Sequence, residues 1–129
     1  MALADDADVL TTKEQIVTVA RRRFADHGYA GTSLTEIAEE VGIRRPSLLY
    51  HFTSKEVLYR AVLLESFGNW VSLVDLATEG PREGWPQVER VVRAAFRFFE
   101  EGPDFVRLVS WEALEGGPIL RAELAVLLR

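Results

Sequence analysis

The stretch from Ser33 to Lys55 constrains the fold most, because it contains two short helical patterns separated by one glycine. Ser33 and Glu36 have the spacing of a capping box, in which each side chain bonds to the other residue's backbone amide at a helix start. Gly42 can adopt the left-handed conformation that ends many helices. Pro46 suits the first turn of the next helix, where its missing N–H costs little. The sequence therefore predicts two helices joined by a sharp turn.

The side chains of these two helices separate into an apolar and a polar side. Ile37, Ala38 and Val41 form an apolar stripe at helical spacing, and Leu48 and Phe52 lie four residues apart on the second helix. A generic helical hairpin would also show these features. The small residue, the turn glycine and the basic start of the second helix together favour a helix-turn-helix, whose second helix enters the DNA major groove.

The residues predicted to contact DNA lie at the starts of these helices and on the outer side of the second. Two arginines beside the positive end of a helix dipole are unfavourable unless an anion neutralises them, so they are predicted to bind phosphates or guanine edges. Tyr50 could alternatively pack against the first helix. The predicted contacts are Ser33, Thr35, Arg44, Arg45, Pro46, Ser47, Tyr50 and Lys55.

Charge is distributed unevenly along the chain, and its distribution matters more than the net charge of −5. Residues 11–60 hold eight bases and six acids, whereas residues 61–129 hold seven bases and eleven acids. Phosphate attraction acts over about 8–10 Å, so a local basic patch can bind DNA beside an acidic remainder. The consecutive Arg21, Arg22 and Arg23 fan around a helix and are interpreted as a solvated face.

The rest of the sequence predicts further helices and an all-α fold class, because no segment alternates convincingly with period two. Thr12 and Gln15 have capping-box spacing at the start of a first helix that ends near Gly28. Thr53 and Glu56 have it at the start of a fourth. The other helices are predicted over about 34–41, 46–52, 87–100, 104–115 and from 119 onward, with a loop at 78–86.

These patterns divide the chain into a disordered tail over residues 1–10, a three-helix DNA-binding head over 11–66 and a helical regulatory body over 67–129. The last helical pattern keeps an apolar face up to the end of the sequence without a stop signal. We therefore expect the body to be incomplete at its C-terminus or to pack on a partner.

Composition excludes several other classes of protein. Apolar residues make up 48% of the chain, which is too many for a disordered protein, and the absence of cysteine excludes disulfides and thiolate metal sites. No apolar run approaches the roughly 20 residues of a membrane span, and the acidic N-terminus does not resemble a signal peptide. We expect a cytoplasmic protein without membrane contact, metal or cofactor.

Several short motifs lie at characteristic spacings within residues 12–66. They are Gly28-Tyr29, Thr32-Ser33-Leu34, Ile37-Ala38, Val41-Gly42-Ile43, Leu48 to Phe52 and Ser54-Lys55-Glu56-Val57-Leu58. In combination they resemble the N-terminal domain of the TetR family of transcriptional repressors. The resemblance implies a homodimer that binds a palindromic operator on double-stranded DNA, and a body whose small-molecule inducer releases it. The family's last two helices, which build its dimer interface, are missing from this sequence.

The resemblance adds two residues to the predicted DNA contacts. It places His51 at a phosphate contact, although a lone histidine beside an apolar face is often structural. Leu49 stands where the family usually has tyrosine, which removes one hydroxyl from the groove and leaves base preference at that position open.

Aromatic residues are concentrated in the body, where the resemblance implies an inducer cavity. An aromatic stripe is more often plain core, so the alternative is that these side chains only pack. Glu100, Glu101 and Glu112 could counter a cationic ligand, but they are interpreted as exposed acids. The candidate ligand contacts are Phe67, Trp70, Phe96, Phe99, Phe105 and Trp111.

The predicted function is a sequence-specific DNA-binding transcriptional regulator, a repressor released by an inducer. The alternative is a helical ligand-sensing or interaction module without DNA binding, which the acidic balance and Leu49 would favour. An enzyme is not expected, because two histidines and no cysteine offer no recognisable triad and no Gly-rich phosphate loop is present.

Overall fold

The structure, a computed structural model, describes residues 9–77, 80 and 84–127, and these residues form α-helices without a β-strand. Within these ranges the predicted all-α fold is confirmed. The helices are α1 (Thr12–His27), α2 (Leu34–Val41), α3 (Arg45–His51), α4 (Lys55–Ala77), α5 (Trp85–Glu101), α6 (Pro103–Leu114) and α7 (Pro118–Leu127).

Helices α1 to α3 and the first three turns of α4 pack around one apolar core and are called the head below; α5 to α7 and the rest of α4 are called the body. The most buried side chains of the head include Ile16, Phe24, Ile37, Leu48, Leu58 and Val62. Burial of each stabilises the fold by about 1.5–3 kcal/mol relative to exposure. Leu108 of α6 is fully buried in the same cluster, so hydrophobic packing joins the body to the head.

The N-cap prediction holds for α2 and is wrong by one residue at α1 and α4. The Ser33 hydroxyl accepts from the amides of Thr35 and Glu36, as expected at the start of α2. At α1 the capping side chain belongs to Thr11 rather than to Thr12. Two adjacent hydroxyl residues offer the same local chemistry, and only the path of the preceding chain selects between them.

The predicted N-cap residue of α4 is also wrong by one position. The hydroxyl of Ser54, not that of Thr53, accepts from the Val57 amide at 3.2 Å. The Ser54 carbonyl also accepts the helical bond from the Leu58 amide at 3.1 Å. Ser54 therefore holds the cap position.

The arginine run on α1 was interpreted as a solvated face, and this is wrong, because all three side chains bind acids on other helices. Arg21 pairs with Glu65 of α4 at 3.2 Å. Arg22 pairs with Glu40 of α2. Arg23 bridges two acids of α2, Glu36 at 3.0 Å and Glu40 at 2.9 Å. The run therefore links α1 to α2 and α4 by ion pairs.

Prolines stand in the first turn of the last three helices, where the missing N–H is tolerated. Helix α5 begins at Trp85, so the last two residues of the predicted 78–86 loop are helical. Residues 78, 79 and 81–83 of that loop lie outside the described residues, as do residues 1–8 of the predicted tail. Among the helices of the described ranges, none is long and apolar enough to cross a membrane.

A specific contact between α1 and α6 fixes the body against the head. The indole Nε1 of Trp111 donates to the Ala25 carbonyl at 3.0 Å, and Arg107 pairs with Asp26 at 2.9 Å. Gly28, with φ of 76°, ends α1 directly beneath the Trp111 ring. This junction sets the direction in which the head projects from the body.

Candidate nucleic-acid interface

The turn between α2 and α3 positions the predicted recognition helix. Gly42 adopts a left-handed conformation with φ of 87° and ψ of 27°, as predicted. The amides of Gly42 and Ile43 both donate to the Ala38 carbonyl at 2.9 Å, which closes the end of α2. The chain therefore reverses within a few residues and sends α3 across α2.

Two buried side chains decide which side of α3 faces solvent. Leu48 is fully buried, and Phe52, which ends the helix, is buried as well. Because residues four apart share one helix face, this face of α3 lies against the head core. The opposite face is left to residues 45, 46, 47 and 50, all of which are exposed.

The exposed face of α3 carries the groups that sequence analysis predicted for DNA contact. Tyr50 is 85% exposed, so the alternative that it packs against α1 is wrong. Arg44, Arg45, Pro46 and Ser47 are also exposed. Within the described ranges neither Arg44 nor Arg45 forms an ion pair, in contrast to the three arginines of α1. Two unpaired guanidinium groups at the start of a helix are suited to bind an anion.

Leu49 and His51 lie at the edges of this exposed face and are partly buried. Leu49 packs against the head core, so only part of its side chain is open to solvent. The His51 ring contacts the Tyr50 ring edge-on, with 5.4 Å between their centroids. These two side chains therefore form a half-buried border beneath Tyr50.

The two predicted contacts on α2 lie at its N-terminus. Thr35 is exposed, whereas Ser33 is partly buried and uses its hydroxyl oxygen as the helix cap. The capping role predicted for Ser33 is therefore present in the structure. Its hydroxyl proton remains available as a donor, because a capping oxygen acts as an acceptor.

Lys55, predicted as a phosphate contact, is held by an aromatic ring. Its Nζ lies 4.5 Å from the ring centroid of Tyr29, in a cation–π contact. The Tyr29 ring in turn contacts Tyr59 edge-on at 5.0 Å. Tyr29 therefore orients the Lys55 ammonium at the start of α4, a role that sequence analysis did not assign to it.

A second cation beside α3 was also missed. The Nζ of Lys13, in the first turn of α1, lies 5.6 Å from the ring centroid of Phe52. Lys13 is exposed, so its ammonium can reach an anion next to the end of α3. In the sequence Lys13 is a single lysine far from the helix-turn-helix, and single lysines are common on helix surfaces. Nothing in the sequence therefore distinguished it.

The structure divides the candidate ligand residues into three groups. Phe67, Trp70 and Phe105 form a stack, with centroids 5.7 Å and 6.4 Å apart. Phe105 lines a cavity of about 300 Å³ between α1, α4, α5 and the start of α6. Phe96 is 67% exposed and Phe99 is also exposed. Trp111 belongs to the junction with α1. The predicted residues therefore do not converge on one cavity.

Glu112 was expected to be an exposed acid, and this is wrong. It is 1% exposed and lines a second cavity of about 330 Å³ where α4, α6 and α7 meet. Burial raises the pKa of its carboxyl above the usual range, a hydrogen bond from the Leu120 backbone opposes this, and the nearby Glu115 adds to the increase. Residues far apart in the sequence cover Glu112, so no local pattern could have revealed its position.

The sequence profile described as "Bacterial regulatory proteins, tetR family" matches residues 16–62, which run from α1 into α4 and include the whole turn and α3. The HTH-type transcriptional regulator RutR of Escherichia coli K12 is 33% identical over 118 residues. The segment from residue 16 to residue 62 belongs to the TetR family. The HTH-type transcriptional activator FasR of Mycolicibacterium smegmatis is 35% identical over 112 residues.

Solved structures of TetR-family proteins share the fold. PfmR from Thermus thermophilus, a TetR family transcriptional regulator, superposes with a TM-score of 0.68 at 29% identity, over 78% of this chain and 54% of that one. A TetR-like regulator from Rhodococcus sp. RHA1 gives 0.74 at 20% identity, over 88% and 62%. RutR and FasR match 90% and 87% of this chain, which spans 54% and 51% of their lengths. The chain thus covers about half of these TetR-family relatives.

Proposed function

We propose that the protein is a sequence-specific DNA-binding transcriptional regulator, not an enzyme, and that α3 reads the major groove. The observation that supports this most directly is the exposed side of α3, where Arg44 and Arg45 have no ion-pair partner in the described ranges and Tyr50 projects into solvent. Arginine is the residue that most often recognises guanine, through its O6 and N7 atoms. Membership of residues 16–62 in the TetR family supports the same role.

In this proposal the remaining predicted contacts, together with Lys13, surround α3 as phosphate anchors. Lys55 is held on one side by Tyr29, and Lys13 lies on the other side beside Phe52. Thr35 and Ser33 present hydroxyl groups at the start of α2. Phosphate contacts of this kind fix the orientation of a recognition helix but carry no sequence information themselves.

We further propose that the protein acts as a homodimer on a palindromic operator and is a repressor released by a small molecule. Two-fold symmetry places two recognition helices about 34 Å apart, one turn of DNA, or a multiple of it. The names of the relatives include both repressors and activators. AcnR of Corynebacterium diphtheriae is a transcriptional repressor and FasR is an activator. A reporter gene under the operator distinguishes repression from activation.

In this scheme residues 11–66 bind DNA and residues 67–129 carry the regulatory part. The junction through Trp111 and Ala25 supports the division, because it connects the two parts by specific contacts while each keeps its own helices. A change in the body can therefore reach the head through this junction and through α4, which belongs to both parts.

The deciding experiment selects bound sites from a random duplex pool with the full chain at low salt. We expect enrichment of a two-fold symmetric sequence. Replacing Arg45 by alanine should weaken binding to it by about tenfold, since one good bidentate pair contributes about 1–3 kcal/mol of discrimination. Arg97→Ala is the matched control, because Arg97 is an exposed arginine of α5, away from α3.

The outcome also tests the alternative of a sensing module without DNA binding. A folded wild-type chain that enriches no sequence and shifts no duplex at low salt would reject DNA binding and favour that alternative. Equal losses in Arg45→Ala and Arg97→Ala would instead show that only overall charge matters, and would reject Arg45 as a reader of bases.

A further inference from the structure

A cavity lies at the junction of the head and the body, away from the aromatic stack. It has a volume of about 330 Å³, within the range of small-molecule sites. Its walls come from the loop after α1, the start of α4, the end of α6 and the start of α7, and include Tyr29, Tyr59, Glu112 and Ile119. The cavity therefore lies between the elements that connect the predicted DNA-binding surface to the body.

Two buried polar atoms of this cavity have no partner. Glu112 is 1% exposed and Tyr59 is 3% exposed, and neither Oε2 of Glu112 nor Oη of Tyr59 has a hydrogen-bond partner within the described residues. An unpaired buried polar group costs about 1–3 kcal/mol, and more when it is charged. Both residues line the same cavity, which is a reason to expect a hydrogen-bonding ligand there.

The charge of the lining restricts the class of ligand. Glu56 and Arg60 form an ion pair at 3.9 Å and largely cancel, which leaves the carboxyls of Glu112 and Glu115 in excess. An anion would be repelled by these groups. A cation with N–H donors satisfies the free carboxyl oxygen and neutralises part of the excess.

We propose that this cavity binds a small organic ammonium ion, which donates hydrogen bonds to Oε2 of Glu112 and to Oη of Tyr59. An ammonium group carries up to three donors and no acceptor, which matches the two unpaired oxygens of Glu112 and Tyr59. Pro118 and Ile119 supply an apolar wall for the carbon skeleton. The buried carboxyl provides the charge, and the tyrosine oxygen sets the direction of approach.

The position of the cavity gives the ligand a route to the predicted DNA contact, and this part alone rests on the proposed function. The Tyr59 ring contacts Tyr29 at 5.0 Å, and the Lys55 ammonium stacks on Tyr29 at 4.5 Å. Tyr59, which the ligand contacts, is therefore separated from Lys55 by one aromatic ring, that of Tyr29. A shift of Tyr59 that moves Tyr29 also moves the Lys55 charge.

The experiment titrates the full chain, without DNA, with n-butylammonium and 1,4-diaminobutane in a calorimeter. Butyrate and n-butanol are the controls of matched length, one with the opposite charge and one neutral. We expect saturable binding of the amines at one per chain and none of butyrate. Wild-type protein that binds n-butanol as well as n-butylammonium, or binds neither, would overturn the site.

Variants locate the binding. Glu112→Gln keeps the shape of the side chain and removes its charge, and should weaken amine binding by at least about tenfold, as expected for a charge-assisted hydrogen bond. Tyr59→Phe should weaken it by a smaller factor. Glu39→Gln is the control, since Glu39 is an exposed acid of α2 outside the cavity. Equal amine affinity in wild type and Glu112→Gln would reject the site, and Tyr59→Phe decides the question if the glutamine variant does not fold.

A second experiment measures the affinity of the chain for the selected operator duplex with and without the amine. A change in operator affinity of at least about threefold on saturation with the amine supports the route through Tyr29. No change rejects that route and leaves the amine site standing. If the chain binds no duplex at all, the proposed function fails, while the titration without DNA still decides whether the amine site exists.

Discussion

The indole of Trp111 donates a hydrogen bond to the backbone carbonyl of Ala25, which lies in the last turn of α1. The last carbonyls of a helix have no partner within the helix and must find one elsewhere. Trp111 provides that partner from α6, 86 residues further along the chain. One side chain thus completes the end of α1 and fixes the body against the head.

Replacing Trp111 by phenylalanine should lower the free energy of unfolding by about 1–3 kcal/mol, because the Ala25 carbonyl loses its donor while most of the ring packing stays. Urea unfolding followed by circular dichroism measures the change. Trp85→Phe is the control, since Trp85 is 75% exposed and should change stability by less than about 0.5 kcal/mol. Equal effects of the two substitutions would contradict a structural role for the Trp111 hydrogen bond.

Gly28→Ala should destabilise the protein more than Gly42→Ala. Both glycines have positive φ, 76° and 87°, but an added Cβ at Gly28 would lie 2.8 Å from Cε3 of Trp111, whereas at Gly42 nothing lies within 4 Å. The backbone of Gly28, with ψ of 177°, also lies in a region that is essentially restricted to glycine. We expect Gly28→Ala to lower the free energy of unfolding by about 1–3 kcal/mol more than Gly42→Ala does. Thermal and urea unfolding measure this difference.

A double-mutant cycle isolates the part of the Gly28→Ala destabilisation that comes from the clash with the Trp111 ring. In a Trp111→Ala background the clash is removed and only the backbone cost of Gly28→Ala remains, so the substitution should cost less there than in wild type. An unchanged cost would show that backbone conformation alone requires glycine at this position.

Tyr29→Leu should weaken operator binding by roughly two- to fivefold, on the order of the 0.5–1 kcal/mol of an exposed cation–π contact. The leucine removes the ring that holds Lys55 and leaves its ammonium free to adopt other positions. Tyr29→Phe keeps the ring and should bind like wild type. Fluorescence anisotropy on a labelled operator provides the comparison, and identical affinities of the two variants would show that Lys55 does not need its aromatic support.

Glu112→Gln should make the protein more stable at neutral pH and change it little in acid. Burial raises the pKa of the Glu112 carboxyl above the ordinary value of 4.5, so the native state holds this proton to higher pH than the unfolded chain does. As pH rises above about 4.5, the unfolded chain releases the proton first, and wild-type stability falls relative to the glutamine variant. The difference becomes constant once pH exceeds the native pKa.

Urea unfolding of both proteins from mildly acidic to mildly alkaline pH measures this difference, and comparison at each pH cancels the titration of groups common to both. The charged and titratable groups that line the cavity with Glu112 include Glu56, Arg60, Glu115 and Tyr59. Burial and the Glu112 charge also raise the pKa of Tyr59. A stability difference that does not grow with pH would mean that the Glu112 carboxyl is not destabilised by burial.

Local signals in the sequence determined α2, the Gly42 turn and the exposed side of α3. The Ser33 cap, the stripe of Ile37 and the buried Leu48 each depend on residues within four positions, so their spacing alone predicts them. The same signals missed the caps at Thr11 and Ser54 by one residue, because adjacent hydroxyl residues are locally equivalent. Outward placement of Tyr50 follows once Leu48 is buried, since the two side chains point to different sides of one short helix.

The tertiary structure alone decided the partners of side chains whose neighbours are distant in sequence. It paired Arg23 with the acids of α2, placed the Tyr29 ring under Lys55, brought Trp111 to the end of α1 and enclosed Glu112 between α4, α6 and α7. Helical periodicity shows which face of a helix is apolar but not which other helix covers it. Burial, ion pairing and the shape of a cavity therefore depend on how the helices pack, and a local pattern in one helix does not contain that information.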